Sequence, residues 1–220
     1  MIRRIDEYAP GEPTIGIATK LALHRTDARP LPPPRMQGGM PLLDALSRRH
    51  STREYAARPL PIDLLSDLLW AAFGVNRAQG ADRTAPYWRH VMVLDIYLAM
   101  ADGVWLYVPE RHELLPYLPA DLRARTGLQD FVGRAPLELV YVAHGERMHN
   151  VAPEERRLYA SVDAAFIGQN VYLFCASEGL GSVFRGALDH AGLARLLSLH
   201  GEQFVTFVQT VGYPAAEGAP

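Results

Sequence analysis

Residues 47–55 read SRRHSTREY, which puts Arg48, Arg49, His50, Ser51, Thr52 and Arg53 in consecutive positions. Two chemistries fit such a run. Cations in a last helical turn suit the negative end of the helix dipole and are usually solvated. Arg49, Ser51 and Arg53, projecting from a helix end and the loop after it, would instead clasp a phosphate, because guanidinium groups fork onto phosphate oxygens and a hydroxyl adds a donor. Taken alone, the run favours the helix-end reading.

The other candidate motifs carry less. GLGSVFRG at 179–186 has three glycines, but their spacing is not G-x-G-x-x-G and they follow a helical pattern where a dinucleotide fingerprint needs a strand. No G-x-S-x-G, H-E-x-x-H or C-x-x-C pattern occurs, so hydrolase and zinc chemistry lack their usual support. His144 and His149 read as ordinary surface histidines and no metal is expected. Cys175, the single cysteine, falls in an apolar helical stretch and reads as a buried packing thiol. No side chain is singled out as an obligate acid or base.

The elements that must position these residues follow from pattern. Pro41 opens a short helix with Leu42, Leu43 and Leu46 on one face, closed by SRRH. PIDLLSDLLWAAFG is a clearer helix, with Leu65, Leu68, Leu69, Ala72 and Phe73 at three-four spacing and Gly74 as its cap. From Val91 the period becomes two: VMVLDIYLAM, a turn at Asp102 and Gly103, and VWLYVP read as a β-hairpin. A short helix is expected around PADLRARTG, and a third strand at PLELVYVAH. Pro153 opens the longest helix, which runs to Glu178 and stops at Gly179, with Leu158, Val162, Ala165, Phe166, Gln169 and Leu173 on one stripe and apolar residues on its flanks. A helix apolar nearly all round is buried centrally or at a subunit interface. SVF is a short strand, DHAGLARLLSL a helix with Asp189 as N-cap, and FVTFVQTVGYP a last strand. The class is α+β without internal repeats.

Composition bounds the rest. The chain has 220 residues, half of them apolar, with a formal charge of −2 and both signs scattered, so no partnership with nucleic acid or anionic membrane is expected and any anion site is local. One cysteine and the absence of a signal-peptide pattern or spanning run predict a cytoplasmic protein. RPLPPPRMQGGMP marks residues 1–40 as an extended N-terminal arm, ahead of a domain over 41–214 and a short tail over 215–220.

RRHSTREY, the PLPIDLLSDLLWAAFGVNR helix, the RTAP loop ahead of a strand, DAAFIGQNVYLFCASEGLGSVFRG and the closing QTVGYP together resemble the FMN-dependent nitroreductase superfamily over about residues 40–214. More narrowly, they are similar to the branch that contains the SagB-type azoline dehydrogenases. The resemblance implies a central mixed, largely antiparallel sheet flanked by helices, in an intertwined homodimer with a long central helix. It implies FMN in a groove at the interface, with Arg49, His50, Ser51 and Arg53 at the ribityl phosphate and the segment Val183, Phe184, Arg185 and Gly186 along the isoalloxazine ring. After the proline of TAP the family usually has small polar residues, then asparagine and, two residues on, glutamine. Here Tyr87 and Trp88 replace the small residues, His90 stands for the asparagine and Met92 for the glutamine. His90 is therefore expected at the flavin edge, and Tyr87 and Trp88 as walls of the substrate space. No basic residue follows Gly212, where many relatives have a further cationic contact. The activity implied is ping-pong electron transfer between NAD(P)H or an organic donor and a small planar acceptor such as a nitroarene, quinone or flavin. The alternatives are an azoline-type dehydrogenase on a peptide-derived heterocycle with oxygen as acceptor, and a flavin-poor dimer kept for binding or structure.

Overall fold

A computed structural model of the chain describes residues 27–77 and 82–215. Most of the expected arm, residues 1–26, and most of the tail, 216–220, lie outside the described residues. The sheet comprises β1 (Arg29–Pro30), β4 (Leu94–Met100), β5 (Gly103–Val108), β6 (Glu113–Leu118), β7 (Leu137–His144), β8 (Gly181–Arg185) and β9 (Gln203–Gly212). Its order is β1-β6-β5-β4-β7-β9-β8, and each pairing in it is antiparallel. A separate short ribbon joins β2 (Val75–Arg77) to β3 (Asp82–Arg83). The helices are α1 (Leu42–Arg48), α2 (Ile62–Phe73), α3 (Pro153–Glu178) and α4 (His190–Leu196).

Both faces of the sheet are covered. Leu68, Leu69 and Phe73 of α2 and Ala160, Ala164, Ile167 and Val171 of α3 pack on Leu94, Ile96, Leu98, Leu139 and Tyr141. On the other face Leu193 and Leu197 meet Tyr97, Val140, Val142, Val205 and Val208. Strand β7 lies between β4 and β9 under both layers, so all of LELVYVAH is buried, as a near-continuous apolar run predicts.

Helix ends follow local chemistry. Asp189 caps α4 by accepting from Gly192 N–H at 2.9 Å, and Gly179 ends α3 in the left-handed region at φ 70°. Gly74 follows α2 for another reason. Its φ of −70° suits any residue, but a Cβ there would come within 2.4 Å of the Trp70 side chain.

Several expectations are corrected. The hairpin's first strand begins at Leu94, because Trp88–His90 forms a 3₁₀ turn with Arg89 and His90 at positive φ. PADLRARTG holds only the 3₁₀ turn Arg123–Arg125. Strand β6 went unread because Pro116 demotes ELLPYL; the proline is tolerated there because β1 pairs only with Glu113 and Leu114, leaving the outer edge at Pro116 free. Of the α3 stripe, Leu158, Val162, Ala165, Phe166 and Gln169 point outward and Leu173 is half-buried, so of the two burials open to this helix the stripe is left with a subunit interface. On α1, Ala45 is the buried residue, and Leu42, Leu43 and Leu46 are exposed.

Candidate functional site

The arginine run leaves α1 at its C-terminus and is laid along the edge strand β8. Arg48 closes the helix and Arg49 caps it, so the chain turns out between two cations. Thr52 N–H donates to Ser182 O at 2.9 Å, clipping the loop to the sheet. A Cβ on Gly181 would approach Thr52 Cγ2 to 2.7 Å, so glycine lets loop and strand lie this close. Beside this contact Thr52 Oγ1 is buried without a hydrogen-bond partner.

Around the loop, Ser51 Oγ lies 2.9 Å from Tyr172 Oη on α3, and the Arg49 guanidinium stands 5.3 Å from the Tyr172 ring centre. His50 is exposed, with Nδ1 2.8 Å from Arg48 O. Among the described residues no carboxylate lies within ion-pair distance of Arg48, Arg49 or Arg53. Elsewhere arginines find acids: Arg29 pairs with Asp102, Arg35 with Asp67 and Glu178, Arg123 with Asp121 and Arg156 with Glu202. The run is thus a local concentration of uncompensated positive charge with hydroxyls beside it, which is what a phosphate needs.

The loop meets β8 at Gly181 and Ser182, and beyond them the side chains of 183–185 alternate between the two faces of the sheet. Phe184 turns to the α3 face and packs on Phe207 and Tyr141, with ring centres at 4.7 and 5.7 Å. Val183 and Arg185 turn to the other face. The Arg185 side chain is 2% exposed and bonds Glu138, at 0% exposure, over 2.6 Å. It also donates to Thr210 Oγ1 at 3.0 Å and Thr126 O at 3.2 Å. Arg185 therefore lends a ligand only its backbone. Gly186 is exposed.

Tyr87, Trp88 and His90 lie elsewhere in the protomer. Tyr87 is half-buried, edge-on to Phe73 at 5.8 Å and to His90 at 5.5 Å. Trp88 stacks on Tyr159 at 5.8 Å, and exposed His90 has Nδ1 3.5 Å from Asp82 Oδ1. Trp88 N–H donates to Asp163 Oδ2 at 2.9 Å. Asp163 and Tyr172 are nine residues apart on α3, about 13 Å along its axis. Within one chain the 49–53 loop meets β8 at Gly181 and Ser182, next to the 183–186 segment, while the 87–90 loop packs on Asp163 and Tyr159, further toward the start of α3. Tyr172, Thr52 and Asp163 were not singled out from sequence; for Asp163 the available signal was an acid within the apolar middle of the helix, between Val162 and Ala164.

Asp163 is 4% exposed, and burial pushes its carboxyl up to about 6, against the lowering effect of the Trp88 N–H. A carboxyl raised in this way favours the fold below the unfolded value near 3.8, and that contribution is lost as pH rises through about 6. Asp163→Asn keeps an acceptor for Trp88 N–H without the buried charge. We expect it to stabilise the protein by about 2 kcal/mol at pH 8 and to have little effect at pH 4, read from denaturant midpoints. An equal effect at both pH values would contradict the assignment.

Two remaining candidates resolve simply. Cys175 is buried, and burial pushes its thiol well above the usual range, so it is a packing residue. His144 is not a surface residue. It is buried, with Nε2 2.7 Å from Asp95 and Nδ1 3.0 Å from Glu146. Burial opposes its charge, but these two carboxylates prevail and raise its pKa. Among the described residues no cluster of three or more His, Cys, Asp or Glu could hold a metal, and no helix is long and apolar enough to cross a membrane.

Comparison with known proteins gives the chain's family. The chain is 33% identical over 168 residues to the nitroreductase-like protein MJ1384 of Methanocaldococcus jannaschii, covering 72% of this chain and 84% of that one. A crystal structure of a nitroreductase-like protein from Ralstonia eutropha JMP134 superposes with a TM-score of 0.85 at 40% identity, covering 99% of each chain. The NADPH:FMN oxidoreductase from Vibrio harveyi, solved with NAD+, shares the fold at a TM-score of 0.58 and 22% identity, over 80% of this chain and 69% of that one. The model of the Nitroreductase family matches residues 46–213, from the arginine run through the last strand, and the chain belongs to that family of flavin-dependent oxidoreductases.

Proposed function

We propose that the chain binds FMN and works as an oxidoreductase between NAD(P)H or an organic donor and a small planar acceptor, by a ping-pong cycle, as a homodimer. The observation that carries the reading is the cluster of Arg48, Arg49 and Arg53, which has no carboxylate partner among the described residues and lies against the main chain of β8. The residue types present fit the phosphate end of the cofactor: Arg49 and the Ser51 hydroxyl both lie against Tyr172 beside an edge strand, and Arg53 follows, exposed, on the same loop. When bound, FMN supplies the two-electron chemistry. Arg49 and Arg53 neutralise its phosphate, and the main chain of 183–186 orients the ring.

The second subunit completes the site. The outward stripe on α3 supplies the surface for pairing, and copies of α3 crossing in opposite directions near Phe166 would bring the Asp163 end of one toward the Tyr172 end of the other. Tyr87, Trp88 and His90 of one subunit would then border the clasp of its partner. There the exposed parts of the two aromatics restrict the acceptor to flat molecules, and His90 offers one donor and one acceptor to the ring edge.

The test starts with the protein as purified, which is expected to be yellow and to release FMN on denaturation. Arg53→Ala is expected to weaken FMN binding more than about tenfold by fluorescence quenching, since a charge-assisted hydrogen bond contributes about 1.5–3 kcal/mol. Arg48→Ala, one position off the clasp, should change it much less. Unchanged affinity in the Arg53 variant would return the run to a solvated helix end, and a protein with no affinity for FMN would leave the binding or structural reading.

A further inference from the structure

Three contacts converge on the Tyr172 side chain. Phe184 N–H donates to Tyr172 Oη at 2.8 Å, Ser51 Oγ stands 2.9 Å from the same oxygen, and Arg49 lies over the ring at 5.3 Å. The first contact leaves the phenol hydrogen free to be donated. A backbone N–H can only donate, so the phenol oxygen is the acceptor there. The phenol's own hydrogen is then directed to Ser51 Oγ, the other partner within reach. In that arrangement Ser51 accepts from Tyr172 and keeps its own hydrogen to donate elsewhere. A hydroxyl that accepts one hydrogen bond is polarised into a better donor for the next.

We propose that Tyr172 is a positioning residue of the phosphate clasp. It orients the Ser51 hydroxyl so that the hydrogen points to a phosphate oxygen, holds the Arg49 guanidinium against its ring, and ties β8 to the clasp through Phe184 N–H. It acts through Ser51 and Arg49, from the helix that also carries the outward apolar stripe. The inference rests on the FMN reading above and adds to it a residue that the arginine motif does not contain.

The experiment compares FMN with riboflavin, which has the same ring and ribityl chain but no phosphate. Tyr172→Phe retains the ring and the packing and removes only the hydroxyl. Loosening of β8 affects both ligands alike, so the ratio of the two affinities isolates the phosphate end. In the parent, FMN should be strongly preferred. In Tyr172→Phe the preference should fall about fivefold, the range expected for losing one oriented hydrogen bond. Ser51→Ala should lower it similarly, and adding Tyr172→Phe to Ser51→Ala should change the ratio by less than about twofold, because the two act through one hydroxyl. A parent that binds FMN no better than riboflavin overturns the clasp and this inference together. A parent with the preference, whose ratio survives Tyr172→Phe or falls equally in the Ser51→Ala background, overturns the inference alone.

Discussion

Replacing Arg185 with alanine is expected to cost about 3–5 kcal/mol of stability, because it leaves the Glu138 carboxylate buried without its counter-charge. Glu138 is 0% exposed and lies on the central strand β7, with Arg185 Nη2 at 2.6 Å and Thr210 Oγ1 at 2.8 Å from the same oxygen. Its other oxygen has no partner. Removing the guanidinium thus removes the cation in direct contact with the carboxylate, leaving the Thr210 hydroxyl and the more distant Arg123. Replacing both members should behave differently. A buried ion pair exchanged for apolar side chains of similar volume is often neutral, so Arg185→Met with Glu138→Leu should recover most of the loss. Denaturant midpoints at one fixed protein concentration measure both variants. An Arg185→Ala midpoint within about 1 kcal/mol of the parent would show that the pair does not hold the sheet edge. Because Arg185 also fixes β8 between the clasp and β9, the single variant should loosen the backbone that borders the cofactor.

The role of Arg185 shows what the sequence could and could not reveal. Its neighbourhood was legible in part: the arginine run and the segment 183–186 both read as candidate site residues, and the loop of the run meets β8 just before that segment, at Gly181 and Ser182. The direction of its side chain was not, since that depends on the pleat of β8 and on which strands flank it. A signal did exist in Glu138, the one acid within LELVYVAH, because a carboxylate in a fully buried strand requires a cation from elsewhere in the chain. Long periodic elements were read well because burial dictates their pattern, as in α2 and β7. Short elements such as β1 and β3 were missed, since two residues carry no period and only their pairing defines them. Tyr172 was read as one apolar flank residue among several, and its hydroxyl gains meaning only when Ser51 and Phe184 N–H are placed against it.

A single glutamate at Phe166 is expected to convert a folded dimer into a folded monomer that no longer retains FMN. Phe166 is 46% exposed in the protomer, and six of the eight large exposed apolar side chains among the described residues lie on α1 and α3, which pack together. On α3 these are Leu158, Val162 and Phe166, one turn apart along one face, and on α1 they are Leu42, Leu43 and Leu46. Soluble monomers rarely expose contiguous apolar patches of more than a few hundred Å², whereas burying each such side chain against a second copy contributes about 1.5–3 kcal/mol. A two-fold interface doubles any change, because the same residue enters from both subunits. In the proposed dimer a charge at Phe166 would meet its own copy and lose the apolar contact twice. Within one chain the same side chain points to solvent, so the substitution should alter the stability of the isolated fold by only about 0.5 kcal/mol. Light scattering should report the change in mass, circular dichroism an unchanged fold, and the absorbance of the purified protein the loss of FMN. The parent's melting temperature should rise with protein concentration and that of the variant should not. A parent that is monomeric at micromolar concentration with a concentration-independent transition would remove the dimer. A variant that separates into monomers and still holds FMN as the parent does would show that the clasp and β8 suffice, and would take Tyr87, Trp88 and His90 out of the site.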